Sequence, residues 1–245
     1  MSYVKLKHTL AEIALAAIEH PDRARPAAAL LAYARRSGDQ GCAPVAALAR
    51  AVGLAPDEVR RLLVDTGLFE SQGEGGAGCI ALAAPFRPFA PYLRRQTART
   101  AAAGQLVASP RRPGIPEEIW RAAALFNAGL FFECHEYLED VWRAAPASER
   151  AFYHGLVQAA AGCYHLEKGN AHGARTLIQK AAAKLEPYAP AHRGVAIAAF
   201  LAGLRRVLGR VDRVPPARDR VALPVLDLVG VPRVRRREPL RRSGI

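Results

Sequence analysis

The sequence of 245 residues lacks a hydrophobic run long enough to cross a membrane. In the apolar C-terminal third, the longest stretch without a charge is Gly194 to Leu204, about half of the ~20 residues that a spanning helix needs. Near the start, Lys5 and Lys7 precede an apolar run as in a signal peptide, but Glu12 interrupts that run. The sequence therefore predicts a cytoplasmic protein with no membrane partner.

Cysteine is scarce, and the four thiols of Cys42, Cys79, Cys134 and Cys163 form no CxxC pair. A chain of this length does not need disulfides for stability, so we expect reduced thiols. The sequence also contains no glycine loop that would cradle a phosphate, no nucleophile elbow and no Cys/His pair at a useful spacing. Covalent catalysis therefore has no support.

Lysine is rare as well, since only five of the 35 basic residues are Lys. Together with abundant Ala, this bias suggests a preference for Arg and Ala codons as one source of the net charge of +13. Nucleic-acid binding is the other explanation, and both stay open. Most of the excess lies at the C terminus, where residues 205–245 carry 12 basic and 4 acidic side chains.

Composition divides the chain into four parts. Residues 1–84 combine helical patterns with a Gly-rich patch, and residues 85–115 are predicted to be a Pro/Arg-rich linker with at most one short helix. Residues 116–208 have helical periodicity, and the prolines of the basic tail, 209–245, exclude a continuous helix. The predicted fold is mainly α: an N-terminal winged helix-turn-helix with a small β wing, then an all-α helical bundle.

Residues 45–64 have the spacing of a helix-turn-helix, with Gly53 at the turn. Pro56, Asp57 and Glu58 open the second helix, because proline and acids both favour a first turn. Residues 68–82, with glycines at their centre, have the pattern of a two-stranded wing. The core positions of the motif are Leu48, Ala49, Val52, Leu54, Val59 and Leu62.

Whether this module binds DNA is a separate question. The N-terminal residues of the second helix would meet the bases, and there Asp57 and Glu58 oppose a phosphate-lined groove. The wing tip carries Glu74 and no basic residue. DNA and another protein therefore remain alternative partners for residues 1–84 and the basic tail. The candidate DNA contacts are Arg50, Arg60, Arg61, Arg94 and Arg95.

The helix that follows Gly129 carries polar residues on its apolar face. At 100° per residue, His135 and Glu139 fall within the apolar arc and Glu136 lies at its margin. The positions that face away from this arc, and that we expect in solvent, are Glu133, Tyr137 and Asp140.

The next helix, over about residues 149–168, repeats this anomaly with a stripe of His154, Gln158 and His165. Two helices joined by a short loop pack antiparallel, so the two polar sets can face each other. We expect them to meet in the interior of the bundle, where each polar group needs a partner.

Three interpretations of these residues stay open. In the first, the groups satisfy one another in a buried polar cluster of His154, Gln158, Trp142 and Arg175, with Arg175 reaching Glu139 or Glu136. In the second, His135, Glu139 and His165 bind zinc or ferrous iron, and Glu136 acts as the catalytic general base of a hydrolase. The third is a ligand or proton-transfer site without metal.

The pattern F-N-x-G-x-F-F-E-x-H-E-x-L-E-x-x-W over residues 126–142 continues with Gly155-Leu156-Val157-Gln158 and then His165 and Gly169-Asn170. Over about residues 116–186 the sequence resembles the domain of unknown function family 309. The resemblance implies a compact all-helical domain and brings no activity with it. It also implies that six residues belong to the family pattern: His135, Glu136, Glu139, Trp142, Gln158 and His165.

Two functions follow from these observations. The favoured one is a non-enzymatic regulatory or scaffolding protein, in which a winged helix binds DNA or a partner protein. The alternative is a metal-dependent hydrolase with zinc or iron in the His/Glu cluster.

Overall fold

The computed structural model of the protein describes residues 1–38, 41–73, 78–211 and 223–229. Those residues form ten α-helices and a three-stranded antiparallel sheet, so the expectation of a mainly α protein is confirmed. The chain divides into two compact units, Met1–Gln105 and Leu106–Ile245. Among the described residues, no helix is both long enough and apolar enough to span a bilayer.

The first unit combines helices with the sheet, which is formed by β1 (Cys42–Pro44), β2 (Phe69–Gln72) and β3 (Cys79–Leu82) in the order β1-β3-β2. Within the sheet, Ala43 of β1 lies opposite Ile80 of β3, and Phe69 of β2 lies opposite Leu82 of β3. Its elements are α1 (Ser2–Glu19), α2 (Arg25–Arg36), β1 (Cys42–Pro44), α3 (Val45–Val52), α4 (Pro56–Val64), β2 (Phe69–Gln72), β3 (Cys79–Leu82) and α5 (Ala90–Ala108), the last of which crosses the boundary between the units.

The helix pair and the strand pair expected in this unit are both present. Gly53 ends α3 in the left-handed conformation, with φ of 67°, which glycine adopts without strain. Pro56 begins α4 because a first turn needs no backbone N–H from that residue. Leu48 and Val59 are fully buried on the facing sides of the two helices, in one apolar core with Leu30.

Residues 85–115 are more ordered than a linker. They contain most of a 3-10 turn, Ala84–Phe89, and the whole of a 19-residue helix, α5. Pro91 is compatible with α5 because it lies in the first turn, where the missing N–H costs no hydrogen bond. Pro85 and Pro91 therefore lie at the starts of helical segments, and residues 85–108 are helical where the sequence predicted a linker with at most one short helix.

The expectation of reduced thiols is wrong for two of the four cysteines. Cys42 and Cys79 form a disulfide with Cα atoms 6.1 Å apart, whereas Cys134 and Cys163 are free and buried. The disulfide joins β1 to β3, and β1 itself was not predicted. Its three residues are too few to show an alternating pattern, so the sequence does not reveal that Cys42 lies beside Cys79.

The second unit is helical. Gly129, with φ of 84°, separates the first two of its helices, and Asn170 caps a later one by accepting a 2.9 Å hydrogen bond from the Gly173 N–H. The sequence predicts a last helix from about Ala191, whereas that helix begins at Ile197, after a turn at His192–Val195. The helices are α6 (Glu117–Ala128), α7 (Phe131–Ala144), α8 (Ala147–Glu167), α9 (Ala171–Leu185) and α10 (Ile197–Val211).

Two glycines allow α8 and α9 to approach closely. A Cβ atom at Gly155 would lie 2.7 Å from the side chain of Leu185, and one at Gly162 would lie 2.7 Å from that of Ile178. Ile178 and Leu185 are fully buried, and their seven-residue separation, two turns of helix, predicts that they share one face of α9. The backbone of α8 thus packs directly against the apolar face of α9.

Most of the predicted basic tail lies outside the described residues, since 212–222 and 230–245 are not described. Residues 223–229 pack on the second unit, with Leu226 and Leu228 buried. The Asn127 side chain donates to the Leu226 carbonyl at 3.1 Å and accepts from the Leu226 N–H at 2.9 Å. This part of the predicted tail is a packed segment.

Reduction of the Cys42–Cys79 disulfide should destabilise the first unit. The bond closes a loop over a sequence separation of 37 residues, for which loop entropy predicts a loss of up to ~4 kcal/mol in unfolding free energy. Denaturant unfolding with and without dithiothreitol measures this loss. The double variant Cys42→Ser/Cys79→Ser is the control and should be insensitive to the reductant. Equal midpoints for the wild type in both conditions would refute the prediction.

Gly162→Ala should lower the free energy of unfolding by ~1–3 kcal/mol, because the new methyl group would overlap Ile178 in a packed interface. Gly209→Ala in α10 is the matched control, since no atom lies within 4 Å of its added Cβ. That variant should be neutral or more stable by up to ~1 kcal/mol, because alanine favours helix. Urea melts followed by circular dichroism compare the two, and equal effects would contradict the close approach of α8 to α9.

Candidate functional site

Three donor side chains of α7 lie within one helical turn. The His135 Nδ1 atom is 3.0 Å from Glu136 Oε1, and Glu139 forms a 2.8 Å ion pair with Arg143. One ligand atom from each of His135, Glu136 and Glu139 can be chosen so that all lie within 4.8 Å of one another. The side chains are 29%, 44% and 29% exposed, so the group is half-buried.

A second set of polar groups lies where α8 meets the end of α7. The ring of Trp142 stacks on that of His154, with centroids 4.6 Å apart and an interplanar angle of 27°. The Gln158 amide donates to His154 Nε2 at 3.3 Å, which requires a neutral imidazole. Burial lowers the pKa of His154, and the positive charge of Lys184 lowers it further. The pKa and the hydrogen bond thus favour the same protonation state.

The ring contacts fix the register of the two helices. The ring centroids of Phe132 and Tyr164 are 5.5 Å apart near one end of the α7–α8 hairpin, and Trp142 stacks on His154 near the other end. This antiparallel register places Glu139 opposite the turn of α8 that contains Gln158. The polar residues of α7 and α8 therefore follow the same hairpin, as expected. They are half-buried along its edge, however, and do not lie in the interior of the bundle.

His165 lies outside the cluster that contains His135. Its Nδ1 atom is 2.9 Å from the Asn170 side-chain nitrogen, at the end of α8. In the register above, His165 is opposite the start of α7, about one helical turn from the level of His135. The predicted ligand set of His135, Glu139 and His165 is therefore not brought together. Arg175, which was predicted to join His154, Gln158 and Trp142 in a buried polar cluster, is half-buried on α9.

Two residues of α7 that were expected in solvent are buried. Glu133 is 1% exposed and Tyr137 is 8% exposed. The apolar-arc argument assumed one buried face, whereas α7 packs against both α6 and α8. The 3.5 Å contact of Cys134 Sγ with the Ala122 carbonyl marks the α6 side. A helix with two neighbours buries more of its circumference, and periodicity alone does not show the second neighbour.

A further polar cluster, which the sequence does not predict, joins three parts of the second unit. Glu118 of α6 accepts hydrogen bonds from Tyr153 of α8 at 2.8 Å and from Arg193 at 2.9 Å. Glu149 is 2.8 Å from His192 Nε2. Arg193 has a φ of 46°, an uncommon conformation for a residue other than glycine. These contacts hold the loop before α10 against α6 and α8.

The pKa shifts in this cluster reflect its hydrogen bonds. Burial alone would raise the pKa of Glu118, but hydrogen bonds from its own backbone, Tyr153 and Arg193 lower it overall. Burial is the main cause that raises the pKa of Tyr153, and the hydrogen bond that its hydroxyl donates to Glu118 raises it further. The sequence gives no signal for this cluster because its members are up to 75 residues apart and share no motif.

The five arginines assigned to DNA binding differ in their surroundings. Arg50 of α3 and Arg61 of α4 are exposed. Arg60 donates to Ser71 Oγ and to the Gly73 carbonyl, both at 2.8 Å, and so braces the end of β2. Arg94 donates to the Gly38 carbonyl, and Arg95 lies 5.5 Å from the ring centroid of Tyr92. Arg50 and Arg61 are therefore the candidates best placed to reach a ligand.

The comparison with protein families agrees with the resemblance noted in the sequence. Residues 119–177 match the domain of unknown function DUF309. The match begins within α6, includes all of α7 and α8, and ends within α9. The half-buried donor group and the Trp142–His154 stack therefore both lie inside the DUF309 segment. The first unit lies outside it.

Two curated relatives share part of the chain. An uncharacterized protein of Aquifex aeolicus (strain VF5) is 29% identical over 94 residues, which cover 38% of this chain and 28% of the relative. The uncharacterized protein YpuF of Bacillus subtilis (strain 168) is 41% identical over 49 residues, 20% of this chain and 28% of the relative. The alignments thus span little more than a quarter of each relative. No solved structure matches the chain significantly.

Acid should weaken the contribution of His154 to stability. Since its folded pKa lies below the unfolded value of 6.5, the contribution is present above pH 6.5 and is lost as pH falls through the folded pKa. The difference in unfolding free energy between wild type and His154→Gln should therefore shrink between pH 7.5 and pH 5, as denaturant melts can measure. His172→Gln, at an exposed position of α9, is the control and should show no such trend. A constant difference for His154→Gln would disprove the shift.

Proposed function

We propose that this protein is a non-enzymatic regulatory protein and that its first unit is a winged helix that binds duplex DNA. The order of elements carries the proposal: α2, β1, α3, α4, β2 and β3, with a glycine turn between α3 and α4. This order, and a three-stranded sheet in which β3 lies between β1 and β2, are typical of winged helix-turn-helix modules. In such modules the second helix of the pair, here α4, enters the major groove.

One of the two acids that oppose DNA at the start of α4 is already paired. Arg25 forms a 2.8 Å ion pair with Glu58, so much of that negative charge is compensated within the unit. Asp57 remains as an exposed acid. Arg50 and Arg61 supply exposed positive charge on α3 and α4, and Arg60 holds the end of β2, the first strand of the wing.

The second unit would then sense a ligand or bind a partner protein, and the basic C-terminal residues would add attraction for DNA. For this role we propose a cytoplasmic protein, as the sequence predicts. A hydrolase is less well supported, because Glu136, the predicted general base, lies among the same donor atoms as His135 and Glu139. A base must instead be positioned to act on a water molecule held by the metal.

Binding of a labelled duplex, measured by fluorescence anisotropy, should be detectable at about 50 mM salt and should weaken steeply as salt is raised. Arg50→Ala/Arg61→Ala should weaken binding and reduce the slope of log K against log salt by about 0.9 for each lost phosphate contact. Asp57→Asn should strengthen binding, because it removes a negative charge at the groove.

Arg36→Ala is the matched control, since Arg36 is an exposed arginine of the same unit that lies outside α3 and α4. It should leave both the affinity and the salt slope nearly unchanged. If Arg36→Ala weakens binding as much as the double variant, the contact surface is not α3 and α4. If the wild type shows no salt-sensitive binding, the DNA proposal fails and a partner protein takes its place.

A further inference from the structure

We infer that His135, Glu136 and Glu139 bind a divalent transition-metal ion of the zinc or ferrous type at the edge of α7. The inference does not depend on DNA binding, because the donors lie in the second unit. It also replaces the ligand set expected from the sequence. Glu136 replaces His165 in the ligand set, and its role here is that of a metal ligand and not of a general base.

The spacing of the donors suits a single ion. Residues four apart lie on the same side of a helix, which brings His135 and Glu139 together, and Glu136 joins them from the next position. With metal–ligand bonds of ~2.1 Å, two ligands of a tetrahedral ion lie about 3.4 Å apart. The donor atoms are already within 4.8 Å of one another. Rotation of the glutamate side chains can close the remaining gap without movement of the helix.

The chemistry of the donors selects the ion. An imidazole nitrogen with two carboxylates suits zinc or ferrous iron, whereas calcium and magnesium prefer oxygen ligands alone. Half-burial leaves space for water or a further ligand beside the three side chains. The site therefore resembles an open metal site more than a closed structural one.

Binding would disrupt little of the present structure. Glu139 now pairs with Arg143, whose side chain is 60% exposed, and exposed pairs of this kind contribute little to stability. Arg143 would retain its second partner, Asp140, at 2.9 Å. A metal ion can thus take over Glu139 without leaving the arginine unpaired.

An independent observation on α8 also indicates a ligand here. The Oε1 atom of Gln158 is buried and has no hydrogen-bond partner among the described residues, and a buried acceptor in that state is costly. The register of the hairpin places Gln158 in the turn opposite Glu139. Water bound to the metal is a donor of the kind that this oxygen lacks, and such outer contacts tune metal affinity.

Isothermal titration of chelator-stripped full-length protein with Zn²⁺ tests the site. We expect one equivalent to bind. His135→Ala, Glu136→Gln and Glu139→Gln should each weaken binding by more than about tenfold, because even residues outside the first coordination sphere change affinity by that factor. Gln158→Leu should weaken it by about tenfold through the lost outer contact. Circular dichroism of each variant checks that the helices are retained.

Two controls make the assignment specific. His172→Ala removes an exposed histidine of α9, and His165→Ala removes the histidine bonded to Asn170. Both should bind Zn²⁺ as the wild type does. Titration with Mg²⁺ should show binding at least a hundredfold weaker than that of Zn²⁺.

Four outcomes would overturn the proposal. They are the absence of saturable Zn²⁺ binding, full binding by Glu136→Gln, loss of binding in His165→Ala equal to that in His135→Ala, and Mg²⁺ affinity equal to that for Zn²⁺. None of them bears on DNA binding by the first unit, so failure of one proposal does not imply failure of the other.

Discussion

α8 packs between α7 and α9, and the positions of the polar residues of α7 and α8 depend on this arrangement. On one side, Gly155 and Gly162 let the backbone of α8 approach the buried face of α9. On the other, Phe132–Tyr164 and Trp142–His154 ring contacts set the register against α7. A helix held from two sides in this way has little freedom to rotate or slide. The half-buried donors of α7 and the stripe of α8 therefore follow one edge of a fixed hairpin.

Much of this architecture could be predicted from the sequence, because local signals determine it. Gly129 and Asn170 mark helix boundaries through backbone conformation and capping, and both are residue types that favour such positions. The periodicity of Ala174, Ile178 and Ala181 likewise identified the buried face of α9. In the first unit, the glycine turn and the proline that opens α4 are equally local signals.

The predictions from sequence fail where the structure depends on contacts between residues that are distant in sequence. His165 belongs to the polar stripe of α8 and His135 to the polar positions of α7, but only the register of the hairpin shows that they lie about a turn apart. Glu133 was assigned to solvent because periodicity does not show that α7 has a second neighbour. The Cys42–Cys79 bond depends on the pairing of β1 with β3, and a strand of three residues is too short for the sequence to predict that pairing. The Glu118–Arg193 contact spans 75 residues and has no local signature at all.

The amide of Asn127 occupies both hydrogen-bonding groups of Leu226, as a neighbouring β-strand would. Asn127 lies inside the DUF309 segment, whereas Leu226 lies almost fifty residues beyond its end. Phe126, also inside the segment, packs edge-on against Phe200 of α10, with ring centroids 5.4 Å apart. The core of the matched segment is thus completed by chain outside it. Excised at its family boundaries, the segment would expose apolar surface and an unsatisfied amide, so its autonomous folding unit is larger than the region that the family shares.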